Sequence, residues 1–336
     1  MPTSQSRKRA TLKEVASAAG VSLASASYAV NGTGTLGDAM RARILKVAEE
    51  LGYRQNLAAK TARTGKSNTL GLVIPDLSNP YFPNLVQGVI QRARHHGYTV
   101  FVMDVEETID LERKAIEALV DRGADGLIWF PNRDENTAGS FLDNIPTVVI
   151  ERAIPGLETI WTDTAAGGEM AAEHLRELGH RRIGIVSGPI DIRSMSDRCN
   201  AVAKRVSEFG DLVFQVENGY SMDLEPDVVR AIEEKDVTAI FAGGDMIAIG
   251  VIQKLQALGK RIPEDVSIVG MDDIPWAAFC SPPLTTVEIP IEELAIEAVD
   301  AIVRRIDTNV DTRRRVILDP KLIVRGSTMA LPTPPR

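Results

Sequence analysis

Ser22, Leu23, Ala24, Ser25, Ser27 and Tyr28 crowd small or uncharged side chains into one short stretch, and such side chains can lie close to base edges in a DNA major groove. A helix must present them, and the residues just before supply its frame. Thr11 followed by Glu14 is a capping box, in which each side chain satisfies an orphan donor at a helix start, and Leu12, Val15, Ala16 and Ala19 follow at helical spacing. Gly20 stops that helix and Ser22 caps the next. Gly20-Val21 leaves only a tight turn between the two, so they must cross steeply, as in a helix-turn-helix. Taken alone, the pattern fits an αα-hairpin on the surface of a larger domain as well as it fits a DNA reader.

Charge separates the two readings. The net charge of the chain is -8, but residues 1–66 carry +7 and the remainder -15. A basic head on an acidic body is the footprint of a nucleic-acid-binding segment whose body is repelled by phosphate. Arg7, Lys8 and Arg9, ahead of the first helix, could add phosphate contacts.

Catalytic chemistry finds little support. His95 and His96 fall at a helix end, His174 inside a helix and His180 before a strand, and none stands with a Ser or Cys in a nucleophile motif. No Gly-x-Gly-x-x-Gly or P-loop pattern follows a predicted strand, metal-ligand spacing is absent, and no cofactor is expected. Cys199 and Cys280 belong to no Cys-x-x-Cys pair and are expected to be free thiols. The basic N-terminus lacks an apolar segment behind it and no later run is long enough to span a bilayer, which predicts a cytoplasmic protein with no membrane partner.

With 336 residues, 44% of them hydrophobic, the chain is long enough for two or three domains. A third helix is predicted from about Asp38 to Leu51, with Met40, Ile44, Leu45, Val47, Ala48 and Leu51 closing a three-helix core. Asn56 to Gly65 reads as one short helix that orders only when something holds it. From Leu70 strand-like runs alternate with helices: Leu70 to Ile74, Tyr98 to Met103, Gly126 to Phe130 and Thr147 to Ile150, then Ile183 to Ser187, Leu212 to Val216, Ala239 to Ala242 and Ser267 to Val269. Parallel neighbours need helical crossovers, so this spacing predicts an α/β body with two lobes of doubly wound parallel sheet. In such sheets ligands bind outside the carboxyl ends of the strands, which places a cleft between the facing lobes.

The whole pattern resembles the LacI/GalR family of bacterial transcriptional regulators over about residues 11 to 328. The matching motifs are Thr11-Leu-Lys-Glu-Val-Ala, Ala19-Gly-Val-Ser22, Val30-Asn-Gly32, Leu51-Gly-Tyr53 with Asn56, Asp76-Leu-Ser-Asn-Pro-Tyr-Phe82, Leu178-Gly-His-Arg-Arg-Ile183, Ile262-Pro-Glu-Asp-Val-Ser-Ile-Val-Gly270, Asp272-Asp-Ile-Pro-Trp276 and Pro282-Pro-Leu-Thr-Thr286. The resemblance implies a helix-turn-helix head over 1–55, a hinge helix and linker over 56–66, and a periplasmic-binding-protein-like body over 67–330. Its first lobe would take about 67–160 and 290–318, its second about 161–289 and 319–330, with three crossings between them. It also implies a homodimer on a pseudo-palindromic operator in double-stranded DNA, controlled by a small-molecule effector, commonly a sugar.

The family's base-reading positions fall on Leu23, Ala24 and Tyr28, and with Thr11, Ser22, Ser25, Ser27, Asn31 and the hinge residues Asn56, Ala59 and Ala62 they make up the expected DNA-contacting set. Two departures stand out. Tyr28 occupies a place where members often carry Arg, so a bidentate Arg–guanine contact is lost there, and Ala62 replaces the Leu that wedges into the central minor-groove step. For the effector, the loops after the strands offer Asn79, Tyr81, Phe82, Trp129, Asn132, Glu151, Arg193, Ser196, Arg198, Tyr220, Asp245 and Asp272. Ser196 stands where several sugar-responsive members carry Arg, a role Arg193 could fill from nearby. Aromatic faces with carboxylates suit a polyol, whose CH faces stack on rings and whose hydroxyls donate to Asp or Glu. The alternative is a solute-binding protein or sugar-processing enzyme with a vestigial head, which would need a signal peptide or a catalytic constellation.

Overall fold

The computed structural model describes residues 10–54, 65–308 and 314–331, and the chain divides into two compact units, residues 1–67 and 68–336. The predicted hinge helix, with Asn56, Ala59 and Ala62, lies outside the described residues.

The first unit is a three-helix head: α1 (Leu12–Ala19), α2 (Leu23–Asn31) and α3 (Asp38–Glu50). The capping box closes as expected, with the Thr11 amide donating to the Glu14 carboxylate at 2.6 Å and the Glu14 amide donating back to Thr11 Oγ1. Gly20 ends α1 in the left-handed conformation (φ 65°) that a side chain would strain, and Ser22 Oγ accepts the Ser25 amide to start α2. Val15, Ala16, Ala19, Ala26, Ala29, Ile44 and Ala48 form the core. Only Ile44 and Ala48, one helical turn apart, are buried on α3. Met40, Leu45 and Leu51, expected to close this core, instead lie about two-fifths exposed on its outer side, and Val47 packs at the edge.

The second unit holds two six-stranded sheets. Lobe 1 runs in the order β11-β5-β4-β3-β1-β2, from β1 (Thr69–Ile74), β2 (Thr99–Asp104), β3 (Gly126–Trp129), β4 (Thr147–Ile150), β5 (Glu158–Thr162) and β11 (Arg315–Leu318). Lobe 2 runs β12-β10-β9-β8-β6-β7, from β6 (Arg182–Ser187), β7 (Asp211–Glu217), β8 (Ala239–Ala242), β9 (Ser267–Asp272), β10 (Thr285–Glu288) and β12 (Lys321–Ile323). Every pairing is parallel except β10 with β12. The chain therefore passes between lobes three times, after β5, after β10 and between β11 and β12. Helices α4 (Tyr81–His95), α5 (Ile109–Asp121) and α10 (Ile291–Thr308) cover the first sheet; α6 (Thr164–Glu177), α7 (Arg193–Ser207), α8 (Pro226–Glu234) and α9 (Asp245–Ala257) cover the second.

β5 and β10 were not among the predicted strands, because polar residues break their apolar runs. Glu158 in β5 is fully buried and ion-paired to Arg304 at 2.8 Å. Thr285 and Thr286 in β10 are buried with their hydroxyls bonded to Thr328 and Asp245.

In lobe 2, Gly168 lets the backbones of α6 and α7 meet: a Cβ at this position would stand 2.2 Å from the Arg198 carbonyl oxygen. Elsewhere in a helix, Gly→Ala stabilises by about 1 kcal/mol. Here Gly168→Ala is expected to destabilise by about 1–3 kcal/mol, the usual cost of overpacking, as read by urea unfolding.

Candidate functional site

In the head, the recognition candidates sit on the solvent side of α2. Leu23 is 54% and Tyr28 48% exposed, Ala24 is exposed, and Ser25 and Ser27 are half-buried. Asn31 does not present its amide outward alone: Nδ2 donates to the Ser27 carbonyl at 2.7 Å and to Ser27 Oγ at 3.1 Å. The Tyr28 ring lies against the backbone at Gly34, where a Cβ would approach it to 2.7 Å, which fixes the ring's direction while leaving its outer edge open. Thr11 and Ser22 hold helix starts, and each has its hydroxyl engaged locally. The arrangement is a rigid, low-relief helix face on a compact head.

In the body, a cavity of about 190 Å³ lies between the lobes, walled by residues that follow the carboxyl ends of β1, β2, β3, β4, β6, β7, β9 and β10. Eight of the twelve sequence-predicted residues line it: Asn79, Tyr81, Phe82, Asn132, Glu151, Arg198, Tyr220 and Asp272. Tyr81, Phe82 and Phe130 pack edge to face with centroids 5.1–6.1 Å apart, forming an aromatic wall. The Arg152 guanidinium stacks on Phe130 at 4.9 Å.

Across the cavity Arg198 meets Asp272 at 3.2 Å, with side chains only 8% and 18% exposed, and donates a second bond to the Gly243 carbonyl at 2.8 Å. Burial pushes the Asp272 carboxyl up to about 6, against the opposing pull of Arg198. Burial likewise raises Glu151, whose Oε1 accepts the Thr162 amide and hydroxyl. Both residues hold positive φ, 121° at Asp272 and 57° at Glu151, a conformation that side chains adopt at a cost and that clusters at binding sites.

The other four predicted residues are placed elsewhere. Trp129 is fully buried within β3, on the side of the sheet packed by Ile116, Leu119 and Leu142; strand alternation gives the cavity Phe130 instead. Ser196 donates to the Arg193 carbonyl at 3.0 Å, and α7 turns it away from the face shared by Ser194 and Arg198, four residues apart. Arg193 extends over Trp161 at 5.4 Å and bonds Asp197 in an adjoining cavity, so the cavity guanidinium on this helix comes from Arg198. Asp245 is fully buried with both oxygens used, accepting from Thr286 Oγ1 at 2.6 Å and from the Ile274 amide at 3.0 Å. It braces the turn that carries Asp272.

Glu107, Phe130, Arg133, Arg152, Asp191 and Ser194 line the wall as well, outside the set expected from sequence. Arg152 had a signal, since it adjoins Glu151 directly after a strand. Among the described residues, Arg152 Nε and both amide atoms of Asn132 are buried without a hydrogen-bond partner. No group of described residues has the make-up of a metal site.

A helix-turn-helix head joined to a two-lobed body with a polar, aromatic-walled cleft defines a class: a DNA-binding protein governed by a small molecule. The comparisons with known proteins agree. Residues 11–56 match the model for bacterial regulatory proteins of the lacI family, and residues 172–328 that for a periplasmic binding protein-like domain. A ribose operon repressor of Halalkalibacterium halodurans is 32% identical over 325 residues, covering 95% of this chain and 97% of the relative. The Lac repressor dimer bound to operator and the anti-inducer ONPF shares the fold, with a TM-score of 0.86 at 24% identity over 96% of this chain and all of that one. A regulator from Enterococcus faecalis with bound ribose aligns with a TM-score of 0.72 at 27% identity, over 79% of this chain and 100% of that one. The chain belongs to the LacI family and is an effector-controlled, DNA-binding transcriptional regulator. No described helix is long and apolar enough to cross a membrane.

A carboxyl raised in the folded state binds more protons there than in the unfolded chain, so its contribution falls as pH rises toward the folded value. Between pH 4 and about 6 the stability of the wild type is expected to decline more steeply than that of Asp272→Asn, in urea unfolding run across that window.

Proposed function

We propose that this chain is a repressor that binds a pseudo-palindromic operator as a homodimer in the cytoplasm, and that the cleft takes a sugar or a related polyhydroxylated metabolite without turning it over. The observation that carries the effector reading is the meeting, in one cleft, of the aromatic wall of Tyr81, Phe82 and Phe130 with the carboxylates of Asp272 and Glu151. The Tyr81, Phe82 and Phe130 rings suit the CH face of a sugar, and Asp272 and Glu151 suit its hydroxyls. Binding ribose, as the E. faecalis regulator does, makes that sugar the first to test.

Leu23, Ala24 and Tyr28 are the proposed base readers, with Thr11, Ser22, Ser25, Ser27 and Asn31 setting the helix against the duplex. Residues 56–66 are the proposed hinge, with Asn56, Ala59 and Ala62 at the DNA. A coupling of this kind is reciprocal, so operator changes effector affinity by the factor by which effector changes operator affinity.

Selection from a random duplex pool at about physiological salt, which suppresses weak phosphate binding, is expected to recover a pseudo-palindrome with two half-sites. Titration of that duplex with and without D-ribose then reads the coupling. Recovery of no sequence, or turnover of the sugar, would overturn the reading. If the hinge is helical on DNA, Ala59→Gly, which disfavours a helix by about 1 kcal/mol per subunit, will weaken specific binding more than nonspecific binding. Equal loss in both would sink that idea.

A further inference from the structure

Helix α7 carries Ser194 and Arg198 into the cleft, yet it lacks a cap of its own. The residue at its N-cap position, Ile192, has no side-chain acceptor. The amide of Arg193 finds one on the other lobe: it donates to Asp134 Oδ2 at 2.7 Å. Next to it, Arg133 Nη1 meets Asp191 Oδ2 at 2.6 Å, again from lobe 1 to lobe 2. Asp134 thus does across the cleft what a Ser, Thr, Asp or Asn ordinarily does within a helix, and its negative charge sits at the positive end of the helix dipole.

The segment that delivers both residues is anchored from below. Glu112, on α5 and fully buried, accepts the backbone N–H of Asn132 at 2.7 Å with one oxygen and the Thr137 hydroxyl with the other. Those two bonds bracket Arg133 and Asp134, so the segment is held in lobe 1 at both ends while its middle reaches lobe 2. Asn136 Oδ1 accepts the amides of Ala138 and Gly139 and closes the return turn.

We propose that residues 131–138 form a strap that holds the cleft closed by capping α7 across the lobes, with Asp134 as the positioning residue that sets the ratio of closed to open protein. Opening the cleft leaves the first amide of α7 to solvent and separates Arg133 from Asp191. The two bonds respond differently to conditions. The Arg133–Asp191 pair is half exposed on both sides and is weakened by salt. The Asp134 bond, a carboxylate on a backbone amide, is charge-assisted and directional. Asp134 does not line the cavity that would hold the effector, so its effect is on the protein's own equilibrium and is independent of which effector the cleft takes.

The test uses the full chain without ligand. Spin labels on Glu117→Cys in α5 and Glu234→Cys in α8, both exposed positions, report the distance between lobes in a Cys280→Ser background, with Cys199 fully buried. With the labelled chain diluted into excess unlabelled chain, so that only pairs within one chain are read, the wild type is expected to give one dominant, short distance. Asp134→Ala is expected to raise the population at longer distance by about tenfold, the effect of losing one charge-assisted contact, and Asp134→Glu to restore most of the short one. Arg133→Ala should have a smaller effect that vanishes at high salt. A role confined to helix capping would speed amide exchange at Arg193 and leave the distance unchanged. Superimposable distance distributions for wild type and Asp134→Ala overturn the proposal, as does a wild-type distribution that is already open.

Discussion

The buried contact of Arg198 with Asp272 is the constraint around which the effector cleft is built. A charge taken out of water is tolerated only when it is paired and its remaining hydrogen-bonding capacity is met. Each requirement recruits structure. Arg198 needs the Gly243 and Ser194 carbonyls as well as the carboxylate, which fixes the pitch of α7 against the end of β8. That pitch in turn requires Gly168 on α6, since any side chain there would push the Arg198 carbonyl away. Asp272 needs a turn that aims its carboxyl inward at positive φ, and the turn is tied down by Asp245 through the Ile274 amide and by Arg325 through Asp273 at 2.6 Å. The polar wall of lobe 2 is therefore rigid before any ligand arrives.

Lobe 1 supplies the complementary half by a different route. Its aromatic wall is packed from the start of α4 and the end of β3, and Arg152 lies over it with one donor engaged by Ser194 of lobe 2 at 3.3 Å. One lobe thus presents a charge pair held by hydrogen bonds, and the other presents rings held by packing. A polyol has the matching duality, hydroxyls around an apolar ring face.

The features readable from the amino-acid order are those whose cause is local. The capping box at Thr11, the turn at Gly20 and the second cap at Ser22 each involve residues three or fewer apart, and the head follows from them. The inner strands β1, β3, β4, β6, β8 and β9 are readable because parallel strands buried on both faces appear as continuous apolar runs. What was hidden depends on distant partners. β10 is a strand because Thr286 can give its hydroxyl to Asp245, forty-one residues away. Trp129 and Phe130 are adjacent, both aromatic and both at a strand end, and only the pleat decides which one faces the cavity. Resemblance points to position 196 on α7, whereas the helical turn sets Ser194 and Arg198 on the cleft side.

The three passages between lobes also order events in time. Sheet 1 gains its edge strand β11 only at Arg315–Leu318, and sheet 2 gains β12 only at Lys321–Ile323. The core of the head is closed by residues between Leu12 and Tyr53 alone. Domains fold as units from the N-terminus as the ribosome delivers them, so the exposed face of α2 is complete while both lobes are still missing strands. The order of synthesis alone therefore puts the head ahead of the cleft: a chain halted before Arg315 holds the three-helix core while both sheets still lack an edge strand.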